Sequence, residues 1–351
     1  DGWLRRSEQI CFSFAQSDQG MPMEPTTLLT DICGVTPGSD AFKPFRLSNR
    51  HPHMKPTQIA LIESQDIYGS PTPAGLIAGG SGRLETQAAC PFMSFAIYRL
   101  GLPKPADAQD FLDTNERGTL LHWVLEKVYS LAPNSDRAKS LAEDSLESIC
   151  AEALKRHGHL PEAFAENEKS RLISLVREWL ELEADRDAFD VVETEQRHTV
   201  SLGDWQVQLR IDRLDKIGND FIVIDYKSGK ASSAAALSKQ MTAPQLPLYS
   251  LFRDDIAGVY YAQLKYDDQK IIGVGNKNPQ LVAIKHRQMK TIEPKDSWAA
   301  QRTEWRSELM NMAVQIGAGD ARVDPQPAAC RYCHLKSLCR IDEKRQMAAA
   351  L

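Results

Sequence analysis

The chain has 351 residues, 42% of them hydrophobic and 25% charged, and a formal net charge of -5. That length supports one large core or two modest ones, and the composition excludes wholesale disorder; the charge excludes a generally basic nucleic-acid coat, though not a local basic channel. No apolar run is long enough to span a bilayer and no basic-then-apolar leader opens the chain, so the sequence reads as a soluble, cytoplasmic protein without a membrane partner.

Residues 1–78 are expected to be a lead-in and linker. They start without a methionine, as if cut from something longer, and hold a β-like run from Ile10 to Phe14 and a polar turn from Gln16 to Gly20. From Cys33 to Gly82 the chain is rich in Pro, Gly, Ser and His, with one short strand predicted at Gln58 to Ile62. Apolar residues three or four apart then predict helices over Leu84 to Leu100, Glu116 to Leu131, Arg137 to His157 and Glu162 to Arg186. After Asp190 the period falls to two, predicting strands at Val191 to Val200, Trp205 to Asp212 and Phe221 to Asp225. A helix from Pro244 to Phe252 follows, then strands at Gly258 to Leu264, Lys270 to Val274 and Leu281 to Ile284, and a long helix from Ser297 to Ile316. There is no internal repeat and no G-x-x-x-x-G-K-[ST] loop, which excludes an ATPase motor within the chain.

Two strands carry the chemistry. In Trp205 to Asp212 the alternation puts Trp205, Val207, Leu209 and Ile211 on a core face and Gln206, Gln208, Arg210 and Asp212 on the other. Phe221 to Ile224 is apolar on both faces, the mark of an interior strand, until Asp225 and Lys227, which project to one side. The Gly218-Asn219 turn brings Asp212 alongside them. Two carboxylates and an amine suit phosphodiester hydrolysis: the carboxylates hold Mg2+ or Mn2+, and the lysine orients water or stabilises the transition state. An isolated D-x-K is more often a capped strand end with a surface ion pair, so its neighbours matter. His122 stands in a helix whose Leu121, Leu125 and Val128 pack inward, and Gly118, one turn earlier, permits close approach by another backbone. Gln245 and Tyr249, four apart on one helical face, either contact a substrate strand or brace the sheet. Arg210, Arg213 and Lys230 are candidate phosphate contacts or solvated charges.

Seven cysteines, an odd and uneven set, do not make a disulfide framework. Cys330, Cys333 and Cys339 form a ligand-like C-x2-C-x5-C, whereas Cys11, Cys33 and Cys150 have no matching partners.

In order, Arg117-Gly118 with Leu121-His122, Ile211 to Asp215, Asp225 to Gly229, and Gln245 with Tyr249 resemble the PD-(D/E)XK nuclease superfamily, and within it the RecB/AddB-type domain of recombination and repair, over about Gly79 to Asp342. The resemblance implies an α/β, restriction-endonuclease-like fold: a mixed central sheet flanked by helices, with a helical N-terminal part. It implies that His122, Asp212 and Asp225 bind the divalent metal and that Lys227 is the catalytic lysine. It implies a domain division at 78/79, with residues 1–78 the remnant of a helicase-like region; Cys11 to Leu29 more loosely resembles its closing segment. One branch of the family carries a 4Fe-4S cluster, and Cys90, in Cys90-Pro91-Phe92, would join Cys330, Cys333 and Cys339 to hold it as a staple between the two ends of the domain, zinc being the lesser alternative. The expected activity is that of an exonuclease on single-stranded DNA, working with a helicase-like region or subunit; the rival reading is a catalytically silent DNA-binding scaffold on the same fold. Two positions depart from the usual pattern. Leu209 stands where a glycine is common and is expected to narrow the space near the metal, and Glu195 occupies a frequently acidic position with no role assigned beyond support or substrate contact.

Overall fold

Hydrophobic period organises the chain into a helical part, a sheet, and helices that close over the sheet. The computed structural model describes residues 67–105, 112–158, 160–232, 237, 241–276, 289–294, 296–343 and 345, with the backbone of two short strands near the start. The chain divides into two compact units, Asp1–Ser64 and Gln65–Leu351. In the first, β1 (Ser17–Asp18) and β2 (Met21–Pro22) pair antiparallel, so Ser17 and Asp18, expected in a polar turn, lie in a strand. The strands expected at Ile10 to Phe14, Gln58 to Ile62 and Leu281 to Ile284, and Cys11 and Cys33, lie outside the described residues.

The second unit begins at Gln65. Residues 67–79 are bonded into it: Gly69 N donates to Gly319 O, Ile77 N to Gln206 O, and Gly75 O accepts from Gln206 N. Helix α1 (Gly80–Ala89) starts inside the glycine-rich stretch, because Gly80 adopts φ +54 and an added Cβ there would stand 2.6 Å from the Gln208 carbonyl. The helix expected over Leu84 to Leu100 is therefore two, α1 and α2 (Pro91–Tyr98), broken where Pro91 forbids an α conformation at Cys90, which is extended. Helix α3 (Thr114–Leu131) begins at a reciprocal Asp113/Glu116 capping box. The helix expected over Arg137 to His157 is also two, α4 (Ser135–Lys139), capped by Asn134, and α5 (Glu143–His157). Helix α6 (Glu162–Ala184) completes this layer.

The sheet comprises β3 (Asp190–Leu202), β4 (Trp205–Ile217), β5 (Asp220–Lys227), β6 (Ile256–Gln263), β7 (Lys270–Gly275) and β8 (Met289–Ile292), in that spatial order. Pairing is antiparallel from β3 to β5, parallel from β5 to β6, antiparallel to β7 and parallel to β8. Helix α7 (Gln245–Tyr249) lies in the crossover between the parallel β5 and β6, and α8 (Trp298–Ala318) follows the sheet. A short α9 (Lys336–Cys339) lies in the cysteine-bearing tail.

Each face of the sheet has its own core. Ile222, Ile224 and Tyr226 of β5 pack with Leu121, Val124, Val128 and Trp179 of α3 and α6. Val207, Leu209 and Ile211 of β4 and Val223 of β5 pack on the opposite side with Leu84, Leu246, Trp305 and Leu309. The result is three layers, helix on sheet on helix, with an interior β5 apolar on both faces. This is the mixed α/β architecture expected, consistent with a restriction-endonuclease-like fold.

Candidate active site

Strand β4 does not end at Asp212, as its alternation suggested, but runs five residues further, to Ile217. Its pleat changes sense on the way. Val207, Leu209 and Ile211 face one core, whereas Ile217 faces the other, on the side where Arg213 and Asp215 are buried. Leu209 is thus a core residue turned away from Asp212 and does not narrow the site, contrary to expectation. The β4–β5 register is set by a two-residue turn with Gly218 at φ +61 and runs from Ile217↔Asp220 to Arg213↔Ile224. One step further the strands part, and a side chain takes over the ladder: Asp212 Oδ2 accepts the Tyr226 N–H at 2.8 Å.

The four groups singled out by the D-x-K pattern and the helical histidine meet at this fork. His122 of α3 puts Nε2 3.1 Å from the Tyr226 carbonyl and Nδ1 3.4 Å from Asp212 Oδ2. Asp225 Oδ2 lies 2.7 Å from Lys227 Nζ. The other Asp225 oxygen accepts from Gln245 Nε2 at 2.7 Å and from the Tyr249 hydroxyl at 3.1 Å. Gln245 also accepts from Lys227 Nζ at 2.8 Å and donates to Tyr249 at 2.9 Å. Between bracing the sheet and touching substrate, Tyr249 is settled by its burial: it holds Asp225 in place from below, and Gln245 ties Asp225 to Lys227.

Glu195 was the residue without an assignment, and it sits at the centre. It holds φ +53 within β3, a left-handed conformation costly for a residue with a Cβ, between the ladder pairs Thr194↔Arg213 and Gln196↔Ile211 that place it opposite Asp212. Its Oε1 lies 3.5 Å from His122 Nδ1 and its Oε2 2.8 Å from Arg210 Nε. Among the described residues, His122, Glu195 and Asp212 form the one group of three potential ligands whose donor atoms lie within 4.8 Å of one another. Asp225, the other residue expected to bind the metal, lies beside this group and is held by Lys227, Gln245 and Tyr249. No short-range pattern marks Glu195, since its place depends on pairing across β3 and β4.

The electrostatics fit a cation. Burial alone would lower the pKa of His122, but hydrogen bonds to Asp212 and Glu195 outweigh it and raise it to about 10. Burial, with the charge of Asp212, pushes Asp225 up to about 7 against the opposing pull of Lys227 and His122. Both Glu195 oxygens are shut off from water without a well-aligned hydrogen bond. Crowded acceptors of this kind, held together by a proton on the imidazole, are a donor set that a divalent ion satisfies.

The expected phosphate contacts divide. Arg210 keeps an exposed side chain beside Glu195, and Lys230 is exposed. Arg213 is fully buried between Glu183 and Asp215 and cannot reach a substrate. Gly118 meets no other backbone: an added Cβ would find only Ser228 Oγ, at an ordinary 3.7 Å. A groove of about 420 Å3 opens over the site, between one face of α3 and the ends of β4 and β5, lined in part by His122, Glu195, Arg210 and Lys227.

The family model of the PD-(D/E)XK nuclease superfamily matches residues 81–340, which include every group of this site. The chain belongs to that superfamily. Among curated proteins none matches it. Asp212, Asp225 and Lys227, which meet where β4 and β5 part, all lie within the matched residues. Its members are in general metal-dependent nucleases, which agrees with the ligand-capable group at His122, Glu195 and Asp212. No helix among the described residues is long and apolar enough to cross a membrane.

Proposed function

We propose that this superfamily member is a divalent-metal-dependent deoxyribonuclease that degrades single-stranded DNA from an end, alongside a helicase or helicase-like region in recombination and repair. The observation that carries the reading is the convergence of His122, Glu195 and Asp212 with the Asp225–Lys227 pair at the floor of an open groove. His122, Glu195 and Asp212 would hold Mg2+ or Mn2+, with Asp225 completing the carboxylate cluster. A bound divalent ion supplies Lewis-acid activation of water and neutralises charge on the phosphodiester. The chain's own groups do the rest. Asp225 and Gln245 fix the Lys227 ammonium at the edge of the groove, where it orients the attacking water and stabilises the anionic transition state. Tyr249 and Gln245 prevent Asp225 from turning away. The Tyr226 carbonyl orients the His122 ring through Nε2, which leaves Nδ1 facing the carboxylates. Arg210, exposed beside Glu195, would take a phosphate of the bound strand.

Under the same reading, Cys90, Cys330, Cys333 and Cys339 bind a 4Fe-4S cluster that staples the ends of the nuclease domain. Supporting this, Phe92 N bonds Arg322 O at 2.9 Å and Gln326 N bonds Ala89 O at 2.8 Å, so the tail returns to the Cys90 turn. Cys339 lies within electrostatic reach of the other three thiols.

End-labelled single- and double-stranded DNA incubated with the chain and Mn2+ tests catalysis, substrate form and direction together. Cleavage that Asp225→Ala and Lys227→Ala abolish without loss of folding is the expected result; unchanged cleavage in either variant removes the proposed site. Visible absorbance and iron content test the cluster separately, with Cys333→Ser expected to lose both.

A further inference from the structure

We propose that Trp123 is a base-stacking platform that selects single-stranded DNA at the mouth of the active-site groove. The inference rests on the nuclease reading of that groove, which it makes more specific. Trp123 follows His122 in α3 and lines the same groove. It is half-buried: part of the ring packs against the helical core, and the remainder forms groove wall. The rest of that wall on α3 is polar or small, with Asn115, Gly118 and Thr119 preceding it and Glu126 following, so Trp123 is the large apolar side chain that α3 presents to the groove. An indole held on one side by a core loses little freedom when a base replaces the side chains over its outer face, and any base supplies the π-face it needs.

The surroundings fit a nucleotide better than a plain hydrophobic contact. Lys127 Nζ lies 5.5 Å from the centroid of the Trp123 ring, and the Arg156 guanidinium carbon 5.2 Å. Lys127 comes from the next turn of α3 and Arg156 from the neighbouring α5, so two cations from different elements lie over the indole and would pass from it to the phosphates of a stacked nucleotide. Phosphates on either side of a stacked base would meet positive charge, while the backbone continues toward Arg210 and Lys227 across the groove. In a duplex the bases are stacked on one another and paired, and none is free to lie on the indole. Trp123 thus gives a physical basis for choosing a single strand. The plain alternative, a core residue whose rim is covered by two long cationic side chains, predicts no dependence on bases.

The test is equilibrium binding of the full chain to fluorescein-labelled dT16, a 16-mer duplex and a 16-mer of abasic residues, by anisotropy in EDTA so that no probe is cut. Trp123→Ala is expected to weaken dT16 binding by roughly 5- to 150-fold. Trp123→Phe should restore most of it, and the abasic strand should bind wild type and Trp123→Ala alike. The proposal is overturned if dT16 binds both equally, if the wild type does not bind dT16, or if the alanine variant loses the same factor on the abasic strand. A phenylalanine variant with the wild-type melting temperature and the alanine variant's affinity also overturns it. Wild-type cleavage with Mn2+ reports on the nuclease reading independently: base-dependent binding without cleavage would reject that reading and leave the platform standing.

Discussion

Replacing Arg213 by methionine should destabilise the nuclease unit severely, although the side chain touches no substrate. Its guanidinium donates through Nε and Nη2 to the two Asp215 oxygens at 2.5 and 2.6 Å, and through Nη1 to Glu183 at 2.9 Å. It also lies 3.9 Å from the centroid of the Tyr129 ring. Arg186 bonds the same two carboxylates, and Tyr129 donates to Glu183, so two cations and two anions balance in a space closed to water. Methionine keeps the volume and deletes one charge, which leaves two buried carboxylates to share Arg186. Removing one partner of a buried ion pair costs about 3–5 kcal/mol. That is at least about a fifth of the roughly 5–15 kcal/mol that holds a domain together, and it should lower the melting temperature by about 6–20 °C. Lysine should restore little, because a point charge cannot reproduce the fork that spans Asp215 and Glu183.

The sign of the pH dependence follows from Glu183. Burial acting alone would raise its pKa, but the charges of Arg213 and Arg186 outweigh burial and hold it below the ordinary value of 4.5. A carboxyl depressed in the folded state contributes stability that is complete above its unfolded pKa and is lost as pH falls through the folded value. The gap between wild type and Arg213→Met should therefore be widest near neutrality and shrink below about pH 4.5, where Glu183 of the variant can protonate. Urea unfolding at pH 7 and pH 4, followed by circular dichroism, measures both quantities. A pH 7 difference under about 1 kcal/mol, or a gap that grows toward acid, would refute the account of the cluster as a balanced buried network.

Glu195→Gln should leave the fold intact and weaken Mn2+ binding at least about ten-fold by calorimetry, because it removes a charge from the ligand-capable group while keeping the shape; unaltered affinity would exclude Glu195 from the metal site. Gly273→Ala should destabilise by about 1–3 kcal/mol, since the new Cβ would sit 2.3 Å from both the Tyr260 ring and the Val259 carbonyl; an unshifted urea midpoint would show that β6 and β7 yield more easily than that packing implies. Asp113→Ala removes the side-chain half of the α3 capping box and should cost about 1 kcal/mol in urea melts, with faster hydrogen exchange confined to the first turn of α3, where the groove wall begins.

Much of the floor of the candidate site could be read from the order of residues because backbone geometry makes it local. Two residues apart in a strand share a face, so the Asp225–Lys227 pairing follows from spacing, and a two-residue turn at Gly218 sets which part of β4 lies beside them. The interior position of β5 is equally local, written in a run apolar on both faces. Glu195 was not accessible this way: its carboxylate reaches His122 only through a left-handed backbone in β3 and a register across to β4, neither of which leaves a periodic trace. Arg213 misled for a related reason. Alternation carried on from Ile211 would have kept it with the residues of that core face, its charge suggested water, and the pleat reversal near Asp212 sends it instead to the buried network on the other side of the sheet. Spacing along one strand is a property of the covalent chain, whereas the neighbours contributed by other elements, and hence the membership of a site and the company of a buried charge, exist only once those elements have packed.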